Sequence, residues 1–162
     1  MRCASVLLLA VALLLSACSA GDGVGSTDGE LPQELVAAIE SFYAAIESDD
    51  IEARVALLAE DVVMMPNHWS VSRGKERVAE VFRAAEGAVF RIRDREVLKA
   101  ACSGDVAYTV NSYYYTYHAQ GDEPQWHKTK NVHIWRRNDV GEWKLEVDIW
   151  NSDVPISAFD EE

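Results

Sequence analysis

The stretch WKLEVDIWNSDVP, residues 143–155, determines which side of a predicted sheet faces the interior of the protein. Residues 143–150 alternate as a β-strand does. One face carries Trp143, Leu145, Val147 and Ile149, and the other carries Lys144, Glu146, Asp148 and Trp150. Composition alone favours an apolar face in the core and a charged face in water. A tryptophan ends the charged face, however, so the alternative is a strand that presents its acidic residues to a pocket.

The N-terminal stretch MRCASVLLLAVALLLSAC has the features of an export signal. One arginine precedes an apolar run at residues 6–15, which is shorter than the roughly 20 apolar residues of a membrane-spanning helix. The residues LSAC at 15–18 resemble the lipobox of bacterial lipoproteins, in which Cys18 would carry the lipid. We therefore predict a lipoprotein signal peptide at residues 1–17. The alternative is an ordinary signal peptide cleaved near Ala20.

Residues 18–30 are predicted to form a flexible tether that begins with the lipidated Cys18, because Gly, Ser and Asp dominate the sequence SAGDGVGSTDGE. The expected location is therefore outside the cytoplasm, with a lipid anchor in the cell membrane or the outer membrane. Ser19 follows the lipidated cysteine, and the resemblance implies transfer to the outer membrane in a Gram-negative cell. Residues 156–162 are predicted to be an acidic tail.

The composition limits the partners of this chain. It has 162 residues and a formal net charge of −12, without a basic stripe, so nucleic acid is not an expected partner. Once the predicted signal and Cys18 are set aside, Cys102 is the one remaining thiol, and we expect no intrachain disulfide. The spacing of His, Cys and carboxylate residues predicts no metal site, and we expect no cofactor.

The pattern of apolar residues predicts one α+β domain at residues 31–155. A first helix has Leu35, Ile39, Phe42, Tyr43 and Ile46 at helical spacing. Asp49 and Glu52 have the spacing of a capping box for a short second helix, and a third helix is predicted from Gly74. A short strand at residues 62–66 separates the last two helices, and four strands follow at residues 89–101, 106–118, 126–137 and 143–150.

Three stretches in this order resemble the nuclear transport factor 2-like superfamily, in its SnoaL-like and ketosteroid-isomerase-like branch. They are FYAAIESDDIEARVALLAEDVVMMP at residues 42–66, RGKERVAEVF at 73–82 and WKLEVDIWNSD at 143–153. The resemblance implies a cone-shaped, curved antiparallel sheet wrapped on three N-terminal helices, with a cavity between them, usually in a dimer. Isomerases, cyclases, dehydratases and pure binding proteins share this fold, so the fold alone does not give the function.

The resemblance argues against ketosteroid isomerisation. That reaction uses a carboxylate base and two acidic hydrogen-bond donors. Aligning the motifs places Phe42 at the position of the tyrosine donor, Pro66 at that of the aspartate base and His133 at that of the second donor. All three groups are replaced, so this reaction is not expected, while the question of another enzymatic activity stays open.

The same alignment places Trp150 at a tryptophan position that lines the cavity in the isomerases. Alternation then implies that Asp148 and Glu146 share the cavity side, and that Asn131, His133 and Trp135 face it from the next strand. The predicted catalytic residues are His133 and Asp148, and the predicted ligand pocket comprises Phe42, Tyr43, Met65, Trp69, Asn131, Trp135, Glu146 and Trp150. The face with Trp143, Leu145, Val147 and Ile149 would turn outward and form a homodimer surface.

Three functions are consistent with these predictions. The first is a membrane-anchored, small-molecule-binding or accessory domain with an aromatic-walled cavity, whose expected partner is a small apolar or aromatic molecule. The second is a lyase, isomerase or hydrolase that uses His133 and Asp148 for acid–base chemistry. The third is a protein-interaction module of the cell envelope that binds through its outer sheet face. The alternative for His133 and Asp148 is a purely structural role, in which each side chain is solvated or hydrogen-bonded within the protein.

Overall fold

The computed structural model describes residues 31–153, which fold into three helices and six strands. The helices are α1 (Gln33–Glu47), α2 (Ile51–Ala56) and α3 (Lys75–Ala84). The strands are β1 (Leu58–Met65), β2 (Ser72–Arg73), β3 (Val89–Ser103), β4 (Val106–His118), β5 (His127–Arg137) and β6 (Trp143–Ser152). The predicted signal peptide, the tether with Cys18 and the acidic tail lie outside the described residues. Among residues 31–153, no helix is both long and apolar enough to cross a membrane.

The six strands form one curved, open sheet in the order β2-β1-β6-β5-β4-β3. Strands β3 to β6 are joined as an antiparallel meander, and this confirms the predicted α+β fold with a curved sheet against three helices. The pairing of β1 with β6 is parallel, which the sequence pattern did not predict. The concave side packs against the helices, because α1 buries one apolar face there, with Leu35, Ile39 and Phe42 nearly inaccessible to solvent.

The turn between α1 and α2 differs by one residue from the predicted capping box. The N-cap of α2 is Asp50, whose side chain accepts a hydrogen bond from the Ala53 N–H at 3.0 Å. Asp49 instead adopts a left-handed conformation with φ of 56°. Its carboxylate accepts a hydrogen bond from the Gly87 N–H at 2.9 Å, and this bond joins the end of α1 to the loop before β3.

A β-bulge in β6 reverses the predicted orientation of half of that strand. Ile134 lies opposite Val147 and Trp135 lies opposite Leu145, so Glu146 has no partner residue on β5. Because of this extra residue, Leu145 and Asp148 both point toward the helices and are only 1% and 6% exposed. The predicted outward orientation of Leu145, and of Trp143 before it, is therefore wrong: both residues belong to the hydrophobic core.

Beyond the bulge, β6 follows the predicted alternation. Asp148 points inward, while Val147 and Ile149 are half-buried on the convex side of the sheet. The bulge therefore divides the concave side of the sheet into an apolar region around Trp135, Trp143 and Leu145 and a polar region that begins at Asp148. The fold thus places an acidic residue and its polar neighbours beneath the first helix, at the position where a curved sheet of this kind encloses its interior.

Candidate functional site

Polar side chains from three adjacent strands form a buried cluster on the concave side of the sheet. Thr109 lies opposite His133, which lies opposite Asp148, and Asn111 lies opposite Asn131 in the next row. Residues in these paired positions are close because facing Cβ atoms on adjacent strands are about 4.5–5.5 Å apart. All five side chains are nearly inaccessible to solvent. We call these five residues the polar cluster.

The polar cluster is linked by side-chain hydrogen bonds that lead to His133. The Asn111 amide donates to Asn131 Oδ1 at 2.9 Å. The Asn131 amide nitrogen lies 2.8 Å from His133 Nε2 and also donates to the Tyr43 hydroxyl at 3.4 Å. Asp148 Oδ1 lies 3.3 Å from the same ring nitrogen. His133 Nε2 is therefore close to both an amide nitrogen and a carboxylate oxygen.

The position of the proton on the His133 ring depends on which neighbour its Nε2 is hydrogen-bonded to. When Nε2 accepts the Asn131 N–H, the ring carries its proton on Nδ1. Neither His133 Nδ1 nor Asp148 Oδ1 has a hydrogen-bond partner among residues 31–153. A protonated ring would instead donate its Nε2 proton to Asp148. The pair can therefore hold a proton in two places, which is the basic requirement of an acid–base pair.

Aromatic rings surround His133. The ring of Phe42 meets it edge-on, with centroids 5.5 Å apart, while the centroids of Tyr43 and Trp135 lie 5.8 and 6.1 Å away. Tyr113 packs against Tyr43 at 6.0 Å. Burial raises the pKa of Tyr43 to about 12 and that of Tyr113 well above its ordinary value, so both phenols stay neutral.

Arg54 on α2 brings a positive charge close to this cluster. Its guanidinium carbon lies 3.4 Å from the centroid of the Phe82 ring and 5.4 Å from that of Phe42. Burial lowers the pKa of Arg54 to about 10, and the negative charge of Asp148 opposes this effect. Its Nε has no hydrogen-bond partner among the described residues. Because an arginine in so short a helix is usually solvated, no sequence pattern identified Arg54 as a site residue.

A small pocket opens beside Arg54, with a volume of about 50 Å³. It lies where the C-terminal ends of α1 and α3 meet the start of β3 and the end of β4. Its lining comprises Ala45, Ile46, Asp49, Ile51, Arg54, Phe82, Ala85, Ala88, Phe90 and Tyr117. We call it the mouth pocket. Arg54 lies between this pocket and the polar cluster, since its side chain contacts both Phe82 in the lining and Phe42 beside His133.

The structure brings six of the predicted site residues together: Phe42, Tyr43, Asn131, His133, Trp135 and Asp148. Trp150 lies opposite Asn131 and is partly exposed. The roles assigned to these seven residues stay predictions. Among residues 31–153, no group of three His, Cys, Asp or Glu side chains is placed to hold a metal ion.

Three residues predicted to line the pocket lie elsewhere, so their predicted placement is wrong. Met65 lies opposite Ile149 toward the convex side and is 39% exposed, because Met64 takes the inward position on β1. Trp69 is 70% exposed in the loop between β1 and β2. Glu146, at the bulge, accepts a hydrogen bond from Arg136 Nε at 2.7 Å away from the interior.

Sequence reasoning missed the polar residues of β4. Ala107, Thr109, Asn111 and Tyr113 alternate on one face of this strand, and all four are buried. Pairing β4 with β5 in antiparallel register would have placed Asn111 beside Asn131. The small and amide side chains at alternate positions of β4 could therefore have indicated this buried polar face. The tyrosines at other positions of the same strand made the pattern difficult to recognise.

Comparison with known proteins supports this fold. Residues 39–145 match the family model of the SnoaL-like domain. A ketosteroid isomerase-like protein from Erwinia carotovora atroseptica is similar in structure, with a TM-score of 0.65 and 23% sequence identity over 77% of this chain and 100% of that chain. A nuclear transport factor 2-like protein of unknown function from Pseudomonas putida has a TM-score of 0.63 at 20% identity, over 77% and 88% of the two chains.

A further solved structure, from Novosphingobium aromaticivorans, is a nuclear transport factor 2-like protein with a cystatin-like fold. It has a TM-score of 0.59 at 19% identity and covers 78% of this chain and 84% of that chain. At these identities the likeness shows the fold alone. A search of curated proteins found no match. The match over residues 39–145 shows that the chain belongs to the SnoaL-like domain family of the nuclear transport factor 2-like superfamily.

Proposed function

We propose that this protein is an exported, lipid-anchored domain that binds a small molecule between its concave sheet and its helices. The observation that carries the proposal is the set of unpartnered polar atoms in one buried region. His133 Nδ1, Asp148 Oδ1 and Asn111 Oδ1 all lack a hydrogen-bond partner among residues 31–153. Each such atom costs about 1–3 kcal/mol of stability. A ligand with matching donors and acceptors would recover this cost on binding.

The surroundings of these atoms define the ligand by its chemistry. The rings of Phe42, Tyr43 and Trp135 supply apolar walls, while the polar cluster supplies one unpartnered ring nitrogen and two unpartnered oxygens. This mixture is typical of a site for a small, mainly apolar or aromatic compound with one hydrogen-bonding end. The interior is closely packed, with His133 1% exposed. Binding therefore requires side-chain movement, and we expect it at the mouth pocket, where Arg54 separates the opening from Phe42.

A thermal-shift screen of the full chain against small aromatic compounds tests this proposal. A compound that binds the interior should raise the melting temperature of the wild type. The substitutions His133→Leu and Asp148→Asn should each lower the affinity for this compound by about tenfold or more, since each removes a buried hydrogen bond to the ligand. Glu146→Gln is the matched control, because Glu146 is an acidic residue on the same strand that faces Arg136 outside the interior. Equal loss of affinity in all three variants would contradict the proposed site.

Proton transfer is a second candidate function, which the buried contact between His133 Nε2 and Asp148 Oδ1 favours. An imidazole beside a carboxylate can take a proton from one ligand atom and return it to another, as isomerases and lyases require. This role would make a bound ligand exchange carbon-bound hydrogen with solvent. The test is to incubate the loaded chain in D₂O, release the ligand by denaturing the protein in D₂O, transfer the free ligand to H₂O and measure its mass. Retained deuterium supports catalysis, and an unchanged mass supports binding alone.

The convex side of the sheet is the proposed homodimer surface. Tyr108, Ile134 and Val147 lie side by side on β4, β5 and β6, and Val110, Val132 and Ile149 form the adjacent row. All six side chains are half-buried in the single chain. Two apolar rows on a sheet face are an exposed hydrophobic patch, which a second copy of the chain would cover by symmetry. Binding of a different envelope protein at the same face is the alternative outcome of an oligomer measurement.

A further inference from the structure

The Arg54 side chain is partly buried, with its Nε inaccessible to solvent, and no acidic side chain forms an ion pair with it among residues 31–153. Its guanidinium makes no hydrogen bond with any of these residues. Its one close contact is with the face of the Phe82 ring, at 3.4 Å from the ring centroid. A guanidinium has five N–H donors, and stacking on a ring leaves the donors at its edge available. A charged side chain in this state is most stable when an anion reaches it.

The walls of the mouth pocket are mainly apolar around this cation. Ala45 and Ile46 from α1 lie on one side, and Phe90 and Tyr117 lie on the other. Tyr117 is 55% exposed, so it forms part of the outer rim. An anion with a small apolar or aromatic body would therefore find an apolar surface beside its charged end. The volume of about 50 Å³ has room for a carboxylate group, so the body of such an anion would extend over the outer rim.

One acidic residue, Asp49, also lines the mouth pocket. Its side chain is exposed, and its carboxylate already accepts the Gly87 N–H at 2.9 Å. Water screens an exposed charge far more effectively than a buried one. The electrostatic character at the base of the pocket is therefore set by Arg54 rather than by Asp49, in spite of the net charge of −12 of the whole chain.

We propose that the mouth pocket binds the carboxylate of a small apolar or aromatic acid, with Arg54 as the group that holds it. The planar guanidinium edge matches the two oxygens of a carboxylate, which can accept two parallel hydrogen bonds. The body of the acid then lies against Phe90 and Tyr117. This inference rests on the proposed function and specifies its ligand class. The same contact would draw Arg54 away from Phe42 and open a path to the polar cluster.

The test compares two probes of similar size and different charge. Benzoate and benzyl alcohol are titrated into the full chain at constant ionic strength, and binding is followed by NMR shifts of the mouth-pocket residues. In the wild type we expect benzoate to bind about tenfold more tightly, as a charge-assisted hydrogen bond requires. In Arg54→Met this preference should vanish. Arg136→Met is the matched control, since Arg136 is an exposed arginine outside the interior, and it should keep the preference.

Further variants keep the test decisive. Arg54→Lys retains the charge but loses the planar pair of donors, and we expect about a third of the wild-type preference for benzoate. If circular dichroism shows that Arg54→Met does not fold, Arg54→Lys replaces it in the test. Asp49→Asn keeps the acceptor for Gly87 and should strengthen benzoate binding, because it removes a negative charge from the rim.

Two results would overturn the inference. Equal affinity of the wild type for both probes would show an apolar pocket without an anion site and would leave the proposed binding function intact. If neither probe binds, the mouth pocket is not a ligand site. The proposed binding function is tested separately, by the thermal-shift screen for compounds whose binding depends on His133 and Asp148. Failure of the anion site can therefore be distinguished from failure of the proposed function.

Discussion

His133 and Asp148 lie directly opposite each other on β5 and β6, with His133 Nε2 3.3 Å from Asp148 Oδ1. Their side chains are 1% and 9% exposed, so neither lies on a solvated strand face. Burying two ionisable groups seldom increases stability, because loss of hydration offsets their attraction. This cost is consistent with the proposal that the pair contacts a bound ligand. The inward orientation of the pair depends on the bulge at Glu146, which the first prediction tests.

Deleting Glu146 should destabilise the domain far more than substituting it. The deletion removes the extra residue of the bulge, so one half of β6 must turn its inward residues, either Leu145 or Asp148, to the other face. We expect a loss of more than about 4 kcal/mol in the free energy of unfolding, measured by urea denaturation. Glu146→Ala removes only a partly exposed ion pair with Arg136 and should change stability by less than about 1 kcal/mol. A deletion variant of wild-type stability would contradict the assigned register.

The bulge also explains how far the sequence alone could predict this structure. Periodicity identified the three helices and the four-stranded meander, because local apolar patterns determine both. Strict alternation along β6 could not, however, place Leu145 and Asp148 on the same face, since one extra residue reverses every later side chain. Residues 143–150 therefore combine the two predicted orientations. Trp143 and Leu145 are core residues, as composition favours, while Asp148 faces the interior beside His133, as the family resemblance implies.

The part of the candidate site that strand pairing brings together was predictable from the sequence. The part that tertiary packing brings together was not. His133, Asn131 and Asp148 are brought together by the register of β5 and β6. Arg54 reaches the same region from a separate helix, through contacts with Phe42 and Phe82 that no local pattern encodes. Trp69 shows the opposite case, because a tryptophan in a loop resembles a pocket residue in sequence although the fold leaves it 70% exposed.

The stability of the protein at alkaline pH should report the burial of Tyr43. Burial raises the pKa of Tyr43 from 10.0 to about 12, so the folded state favours the neutral phenol. The resulting stabilisation is complete below pH 10 and is lost as the pH rises to about 12, because the unfolded chain releases this proton first. Relative to Tyr43→Phe, the wild type should lose about 2–3 kcal/mol of unfolding free energy across this window. A difference that stays constant with pH would show that Tyr43 is solvated.

A charge on the convex face should dissociate the proposed homodimer. Ile134 is the central residue of the row that also contains Tyr108 and Val147. Ile134→Arg should therefore shift the chain from dimer to monomer in sedimentation velocity at micromolar concentration. Val140→Arg is the matched control, because Val140 is 79% exposed in the loop before β6. A wild type that sediments as a monomer would contradict the homodimer, and unchanged dimerisation of Ile134→Arg would place its interface elsewhere.

The predicted lipid anchor can be tested in the full chain. Cells that express it are labelled with radioactive palmitate and fractionated. We expect label on the wild type and recovery with the membranes, and loss of both in Cys18→Ser, because the lipid is attached through the Cys18 sulfur. Cys102→Ser is the control, since Cys102 is a free cysteine within the folded domain. Label that persists in Cys18→Ser would contradict the lipoprotein prediction.

The most direct test of the central claim, that the interior binds a small molecule, is a native mass spectrum of the full chain isolated from the cells that produce it. The account predicts a complex heavier than the lipidated chain by the mass of one small molecule per chain. It also predicts that this mass is lost in Asp148→Asn and retained in Glu146→Gln. A wild-type chain that carries no ligand, and that takes up none from an extract of the same cells, would contradict the claim.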